Sequence, residues 1–416
     1  MLTTKTQEKL SILADAAKYD VSCASSGSKR KGTTDGLGNN TGMGICHTYT
    51  QDGRCVSLLK ILLTNYCIFD CAYCVSRKSN DVKRTRFTVS EVVDLTLSFY
   101  RRNYIEGLFL SSGIFRSPDH TMERLVQIAK NLRLDHKFNG YIHLKAIPGA
   151  SDELMHEAGL YADRLSVNLE MPSERSLKKV APEKSYAEAY KPMNYLAETI
   201  TGMREEKRVV KSAPKFAPAG QSTQMVIGAS PETDLTILDL ADSLYQKQKL
   251  KRVYYSGYVP ISEDNRLPAL VNPPVEREHR LYQADWLMRF YGFDRREIVD
   301  ERFPNLDLAI DPKLAYALRN PQHFPIDVNT APKEWLLRVP GLGVKSANRI
   351  VKARRFRSLR KEHLQKIGIV WKRAKYFLKT GDRDYIQLDW KPEDLRQRIL
   401  HDQRPKRNQN QLSLFA

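Results

Sequence analysis

The sequence predicts an α/β fold, a partial (β/α)6 barrel followed by an all-α domain. Three observations carry that prediction. Six short apolar segments between residues 58 and 260 each close on Gly, Pro, Ser or Asn, with helical patterns in the gaps. Such alternation builds parallel strand–helix units, and six are too few for a closed eight-unit barrel. All six cysteines fall within the first 74 residues, at the start of that pattern. Of the net charge of +19, residues 331–416 supply +14, from 22 Lys/Arg against 8 Asp/Glu.

In chain order, residues 1–56 read as an N-terminal helix, MLTTKTQEKLSILADAAKYD, and a polar, Gly-rich extension that carries three cysteines. Residues 57–300 hold the barrel. Its strands are expected at LLKILLTNY (58–66), GLFLSSG (107–113), YIHLKAIPG (141–149), RLSVNLEMP (164–172), TQMVIGAS (223–230) and KRVYYSGYVP (251–260). TVSEVVDLTLSFYRRN (88–103) and TDLTILDLADSLYQKQ (233–248) show helical spacing, and REHRLYQADWLMRFYGF (277–293) is a helix with aromatic packing residues. Residues 301–325 are punctuated by Pro and read as a connector. Residues 326–380 form the helical domain, and 381–416 a basic tail, flexible from Asn408.

The chain has 416 residues, 41% hydrophobic and 28% charged, enough for more than one packed domain. No apolar run nears the ~18 residues of a membrane span, and the N-terminus lacks the unbroken apolar stretch of a secretory signal. A cytoplasmic protein is therefore expected, with neither a membrane anchor nor a secreted disulfide scaffold. Cysteines gathered in one stretch of such a chain point to metal or redox chemistry.

Cys67, Cys71 and Cys74 form C-x3-C-x2-C directly after the first strand. Zinc sites usually pair C-x2-C motifs to reach four ligands, and ferredoxins add a remote fourth cysteine. Three thiolates on one short loop can hold three irons of a [4Fe–4S] cube and leave the fourth iron open. The segment CIFDCAYC (67–74) resembles the signature of the radical S-adenosylmethionine (SAM) superfamily. The resemblance implies a [4Fe–4S] cluster on Cys67, Cys71 and Cys74 whose open iron chelates the amino and carboxylate groups of SAM. It implies an electron donor, cleavage of the C5′–S bond, and a 5′-deoxyadenosyl radical that abstracts a substrate hydrogen. It also places Tyr73 near the adenine.

Ligands of parallel α/β folds bind at the carboxyl ends of the strands. On that ground Ser111, Ser112 and Gly113 at the second strand, Lys145 at the third, Glu170 at the fourth and Gly228 at the fifth are candidate SAM contacts, with ordinary barrel packing as the alternative for each. Relatives often carry Gly-Gly-Glu where this chain has Ser111-Ser112-Gly113, so the Glu contact to the SAM amino group is missing here. Cys23, Cys46 and Cys55, with His47 beside Cys46, match no motif with a known mechanism. A second iron–sulfur cluster or zinc is one reading of them, and ordinary buried or free thiols are the other.

VPGLGVKSANRIV (339–351) reads as helix, tight turn, helix. Its glycines permit the turn, and the N–H groups opening the second helix suit a phosphate oxygen. It resembles the helix-hairpin-helix module of DNA repair and DNA uptake proteins, with IDVNTAPKEWL (326–336) as lead-in and a degenerate second copy at LQKIGIVWKRAKYF (364–377). Gly341, Gly343, Lys345, Arg349 and Lys352 are the candidate DNA contacts, with Arg354 and Arg355 beside them. Residues 345–375 hold 12 basic residues and one acid, which favours a polyanion over a protein partner. Such contacts position a duplex without reading its sequence.

Taken whole, the chain is similar to the DNA modification/repair radical SAM proteins, which link a radical SAM barrel to a helix-hairpin-helix domain. That resemblance implies action on a DNA base, by repair or modification, and association with a uracil-DNA-glycosylase-like protein. An RNA- or tRNA-modifying radical SAM enzyme is the alternative. A DNA-binding protein with a structural cluster is another, although it needs four protein ligands where the loop offers three. Gln411-Leu412-Ser413-Leu414-Phe415 resembles the peptide by which bacterial repair and replication proteins dock on the sliding clamp, with Gln411, Leu412, Leu414 and Phe415 as the contacts.

Overall fold

The computed structural model describes residues 4–18, 45–49, 55–261, 264–382 and 391–403, without the side chains of 46–49, 55, 402 and 403. Cys23 and the clamp-like residues Gln411, Leu412, Leu414 and Phe415 lie outside the described residues. The chain divides into two compact units, Met1–Glu232 with Leu240–Glu278, and Thr233–Asp239 with His279–Ala416.

The first unit contains α1 (Thr4–Ala17), β1 (Ile45–Tyr49), β2 (Cys55–Leu62), α2 (Val89–Arg101), β3 (Gly107–Ser111), α3 (Pro118–Leu134), β4 (Tyr141–Lys145), α4 (Asp152–Tyr161), β5 (Arg164–Ser166), α5 (Glu174–Val180), α6 (Tyr186–Val209), β6 (Gln221–Ile227), part of α7 (Asp234–Lys247), and β7 (Arg252–Gly257). The seven strands form one sheet in chain order. β2 to β7 are six parallel neighbours, the half-barrel that the alternation predicts. β1 is an addition that the sequence reading lacked. It pairs antiparallel with β2, with Cys46 opposite Leu58 and Cys55 opposite Tyr49.

Parallel strands are covered on both faces, so burial runs along them without alternation, and in β6 it takes in the polar Gln221, Ser222, Thr223 and Gln224. All five residues of β3 and all seven of β6 are buried. The strands end earlier than the sequence suggests, at Leu62, Ser111, Lys145, Ser166, Ile227 and Gly257. The apolar residues beyond them pack in loops. Several of the following helices start at a side-chain cap. Thr88, Ser117, Ser151, Ser173 and Ser185 each accept an N–H from the first turn. These caps bound the loops that carry the residues at the carboxyl edge of the sheet.

The second unit takes in α8 (Val275–Tyr291) from His279 on, then α9 (Arg295–Ile298), α10 (Pro312–Arg319), β8 (Ile326–Asp327), α11 (Lys333–Arg338), α12 (Val344–Ala353), α13 (Lys361–Ile367), α14 (Trp371–Ala374), β9 (Leu378–Lys379) and α15 (Pro392–Gln403). It is not strictly all-α, because β8 and β9 form a short parallel pair. The segment 301–325, expected as a connector, contains α10, and Leu314 and Leu318 of that helix join the core. Helix α15 lies in the segment expected as a tail, and buries Leu395 and Ile399 in the same core. α11 and α12 are joined by a turn at Gly341, and α13 and α14 by one at Gly368, with φ of +86° and +90°. The Val370 N–H donates to Gly341 O at 3.0 Å, so the two turns are bonded to each other. Among the described residues no helix is long and apolar enough to cross a membrane.

Candidate active site

The loop that leaves β2 is fixed along its length by backbone bonds. Ile68 N–H donates to Ile114 O (2.8 Å), Ala72 N–H to Val180 O (2.7 Å), Cys74 N–H to Cys71 O (2.9 Å) and Lys78 N–H to Phe69 O (2.9 Å). Arg84 holds both ends of it. Its guanidinium donates to the carbonyls of Asn65, Ser76, Arg77 and Asn80. Gly113, expected as a SAM contact, meets the loop directly. Its N–H bonds Thr64 O at 2.8 Å, and a Cβ there would stand 2.3 Å from Tyr66 O. Ser111 is buried and its carbonyl takes the Leu63 N–H at 2.7 Å. The Ser112 hydroxyl donates to Gly113 O.

Cys67, Cys71 and Cys74 are all free, with Cys71 buried. Burial pushes the Cys74 thiol up to about 12 and raises Cys71 as well. Free thiols so placed stay protonated and unreactive, whereas bound metal supplies the positive charge that deprotonates them. Among the described residues no three His, Cys, Asp or Glu side chains are grouped to hold one ion. The loop presents its three thiols within eight residues. A cube, which takes each thiolate on a different iron, is compatible with it. Around the loop lies an apolar cluster that includes Met171, Leu177, Val226 and Tyr258, with Phe69, Tyr73 and Cys74 packed against it.

Tyr73 and Glu170 converge on a residue the sequence reading missed. Lys184 Nζ donates to Glu170 Oε1 at 3.0 Å and to the Tyr73 hydroxyl at 3.3 Å, and lies 5.8 Å from the centre of the Tyr73 ring. Burial opposes the Lys184 charge, but the Glu170 carboxylate beside it helps hold its pKa well above the ordinary lysine value. Burial also drives the Tyr73 phenol well above its usual range. Glu170 sits at φ +68°, in the left-handed region a non-glycine residue rarely adopts. It is held there by bonds on both sides, Glu170 N–H to Gln224 O (3.0 Å) and Val226 N–H to Glu170 O (2.6 Å). Strain of this kind persists where the surroundings over-determine it.

Lys145 closes β4 beside Ser166 of β5. Gly228 follows β6 at φ +85°, and a Cβ there would meet Pro274 at 2.8 Å. Seven buried polar atoms of this unit have no partner among the described residues, and three of them, Asn168 Nδ2, Tyr258 Oη and Glu232 Oε2, follow strands of the sheet. Asn168 follows β5 and Tyr258 follows β7, so both stand at the carboxyl edge. Unpartnered buried polar atoms are rare, and at a strand-end edge they suit a polar ligand. The Ser173 and Ser176 hydroxyls bond Glu232 Oε1 and, against the effect of burial, hold its carboxyl below the ordinary range. The chain thus offers three thiols, an aromatic ring, a lysine–glutamate pair and unsatisfied polar atoms on the loops of one sheet edge. That set fits an iron–sulfur cluster with a polar, nucleoside-bearing ligand. Of the other cysteines, Cys46 and Cys55 fall on β1 and β2 and their side chains are outside the described residues.

Residues 61–204 match the model of the radical SAM superfamily. No curated protein matches the chain. Similar solved structures include the FeFe-hydrogenase maturase HydG from Carboxydothermus hydrogenoformans, at 15% identity and TM-score 0.39, over 53% of this chain and 48% of that one. A radical SAM methyltransferase from Sphaerobacter thermophilus matches at 17% and 0.37, over 57% and 68%. Coproporphyrinogen III oxidase (HemN) from Escherichia coli matches at 14% and 0.32, over 61% and 56%. The chain spans about half the length of the maturase structures it resembles. Residues 61–204 are thus similar to a radical SAM domain, and the parallel half-barrel of the first unit is consistent with that likeness.

Proposed function

We propose that this chain is a radical SAM enzyme that acts on DNA, in the repair or modification of a base. Cys67, Cys71 and Cys74 hold the cluster, and Tyr73, Glu170 and Lys184 flank SAM. When bound, the two cofactors supply a 5′-deoxyadenosyl radical for hydrogen abstraction. This chain's own residues exclude water with the apolar cluster around Tyr258 and fix the cysteine loop through Arg84.

The observation that carries the DNA reading is the basic turn pair of the second unit. The left-handed φ of Gly341 in the first turn, repeated by Gly368 in the second, supports the helix-hairpin-helix reading. Gly343 caps α12 and brings no side chain to it; the Val344 N–H meets the Tyr291 hydroxyl, and the next amides of that first turn suit an external phosphate. Lys345, Arg349, Lys352 and Arg355 are exposed around it. Arg354 is used differently from the expectation, since it donates to the carbonyls of Val328 and Ala331. Arg349 also braces the second turn through Ile367 O at 3.0 Å.

The test is anaerobic incubation of reconstituted enzyme with SAM, dithionite and normal or damaged duplex DNA, with nucleosides and 5′-deoxyadenosine followed by mass spectrometry. Altered nucleosides that vanish in Cys67→Ala, Cys71→Ala and Cys74→Ala are the expected result. SAM cleavage at full rate in any of the three variants would overturn the ligand assignment. Cleavage that never alters DNA and is not stimulated by it would overturn the substrate.

A further inference from the structure

A groove of about 560 Å3, within the usual size of ligand clefts, opens in the first unit beside the start of the cysteine loop. Leu63, four residues ahead of Cys67, lines it. The Leu63 N–H bonds Ser111 O and its carbonyl takes the Phe87 N–H at 2.9 Å. Phe115 and Arg116, just past Gly113, form part of its wall. The groove therefore opens off the carboxyl ends of β2 and β3.

Its charge is one-sided. Arg86, Arg116, Arg124 and His120 line it, and no Asp or Glu does. The rest of the sequence makes this unusual, because residues 1–330 are nearly balanced at 45 Lys/Arg and 40 Asp/Glu. Several other arginines of the unit are engaged. Arg133 pairs with Asp163, Arg77 with Asp264, and Arg84 with four carbonyls. Among the described residues no carboxylate pairs with Arg86, Arg116 or Arg124, and Arg124 makes one long bond, to Gln127 at 3.4 Å. Arg116 is moreover held at φ +63°, where glycine would cost less. Beside these cations the Phe115 and His120 rings meet edge to face at 5.0 Å, giving the groove an aromatic surface. Unpaired guanidinium groups with an aromatic wall are the combination that takes a nucleic-acid strand, phosphates on the cations and a base on the ring.

We propose that this groove binds a single nucleic-acid strand through its phosphates and guides it to the carboxyl edge of the barrel. The proposal rests on the reading that the substrate is DNA, and adds to the second unit's duplex contacts a separate strand contact on the barrel. It also gives the enzyme a place for a strand locally opened from the duplex, which chemistry on a base requires.

The test uses the full chain and two probes, a fluorescein-labelled single strand of about ten deoxynucleotides and thymidine 5′-monophosphate. The groove variant is Arg86→Gln with Arg116→Gln and Arg124→Gln, all exposed positions whose change leaves the core intact. The control is Lys345→Gln with Lys352→Gln. The groove variant should bind the strand at least tenfold more weakly at low salt. Its log–log salt slope should be smaller by about 2, from three lost phosphate contacts at ~0.7 each. The control should keep most of its strand affinity, and the mononucleotide should bind far more weakly than the strand. An unchanged slope in the groove variant, with the loss confined to the control, overturns the groove and leaves the DNA reading standing. Equal affinity for strand and mononucleotide overturns the strand assignment in favour of a free nucleotide. Failure of the unaltered chain to bind either strand or duplex removes the DNA reading, and the groove with it.

Discussion

Lys184 in the first unit and Lys313 in the second are both withdrawn from water, yet their protons are held in opposite ways. Lys184 faces the Glu170 carboxylate at 3.0 Å, and its pKa stands well above the ordinary value. Lys313 donates to a carbonyl, Leu342 O at 2.6 Å, and lies 4.8 Å from the centre of the Tyr291 ring. Burial depresses it to about 7, and the nearby Arg373 and Arg338 add to the effect while Asp311 opposes it. The difference teaches that depth alone does not decide a buried lysine. What decides is whether a full negative charge stands close by. The paired lysine sits among the candidate cofactor residues. The unpaired one supports, through Leu342 O, the Gly341 turn of the second unit.

The largest expected effect comes from breaking the pair. Lys184→Met leaves the Glu170 carboxylate, 12% exposed, without its cation. Removing one partner of a buried pair costs ~3–5 kcal/mol, and about 3 kcal/mol is expected because some of Lys184 still meets solvent. Thermal unfolding of the metal-free chain reads the loss. The double variant Lys184→Met with Glu170→Gln should recover part of it, since the carboxylate that was stranded is gone. No recovery would mean that Lys184 acts through packing and not through charge.

Next comes the turn that Lys313 supports. A Cβ at Gly341 would stand 2.7 Å from Val370 O, and its φ of +86° suits glycine. Gly341→Ala should destabilise the second unit by about 2 kcal/mol, measured in urea, and weaken duplex binding with it. Unchanged duplex affinity in the variant would separate this turn from DNA.

A pH series then isolates Lys313. Its folded pKa is lowered, so between about pH 7 and the unfolded lysine value the unfolded chain binds the proton the folded chain has lost. Stability should therefore rise with pH above 7, by up to ~1.4 kcal/mol per pH unit. The clean window is pH 7–8, since burial raises Cys71 and Cys74 and ionisation of the unfolded thiols opposes the rise above it, as unfolded tyrosine does higher still. Lys313→Met should flatten the curve relative to wild type. Parallel curves would place the charge of Lys313 in solvent.

The parts of this molecule that were legible in the sequence are those specified by neighbours in the chain. The six parallel strands announce themselves as apolar runs closed by turn residues, and several helices by a Ser or Thr cap. The cysteine spacing, C-x3-C-x2-C, is complete within eight residues. The Lys184–Glu170 pair was not legible, because a helix intervenes and Lys184 is one of 67 basic residues with no local mark. Asn168 and Tyr258 were missed because being unpartnered is a property of surroundings. The groove escaped notice for the same reason, as Arg86, Arg116 and Arg124 come from two loops and a helix. Strand β1 was missed because its partner lies beyond a polar stretch, and α15 because a basic sequence hid the two buried side chains, Leu395 and Ile399, that dock it.

The smallest effect tests the same principle, support or none, on a glycine. Gly202 lies within α6, exposed, and a Cβ added there would meet nothing within 4 Å. It needs no left-handed backbone and no close approach, so neither reason that retains Gly341 applies. Glycine inside a helix loses more chain entropy on folding than alanine does, by ~0.5–1 kcal/mol. Gly202→Ala should therefore stabilise the first unit by about that amount, with duplex binding, cluster content and SAM cleavage unchanged. The sign is opposite to that of Gly341→Ala, which makes the pair a stringent comparison under one urea protocol. If the unfolding midpoint of Gly202→Ala falls instead, the α6 backbone near Gly202 must adopt a conformation other than the regular helix. The contrast between supported and unsupported positions would then fail at its simplest case.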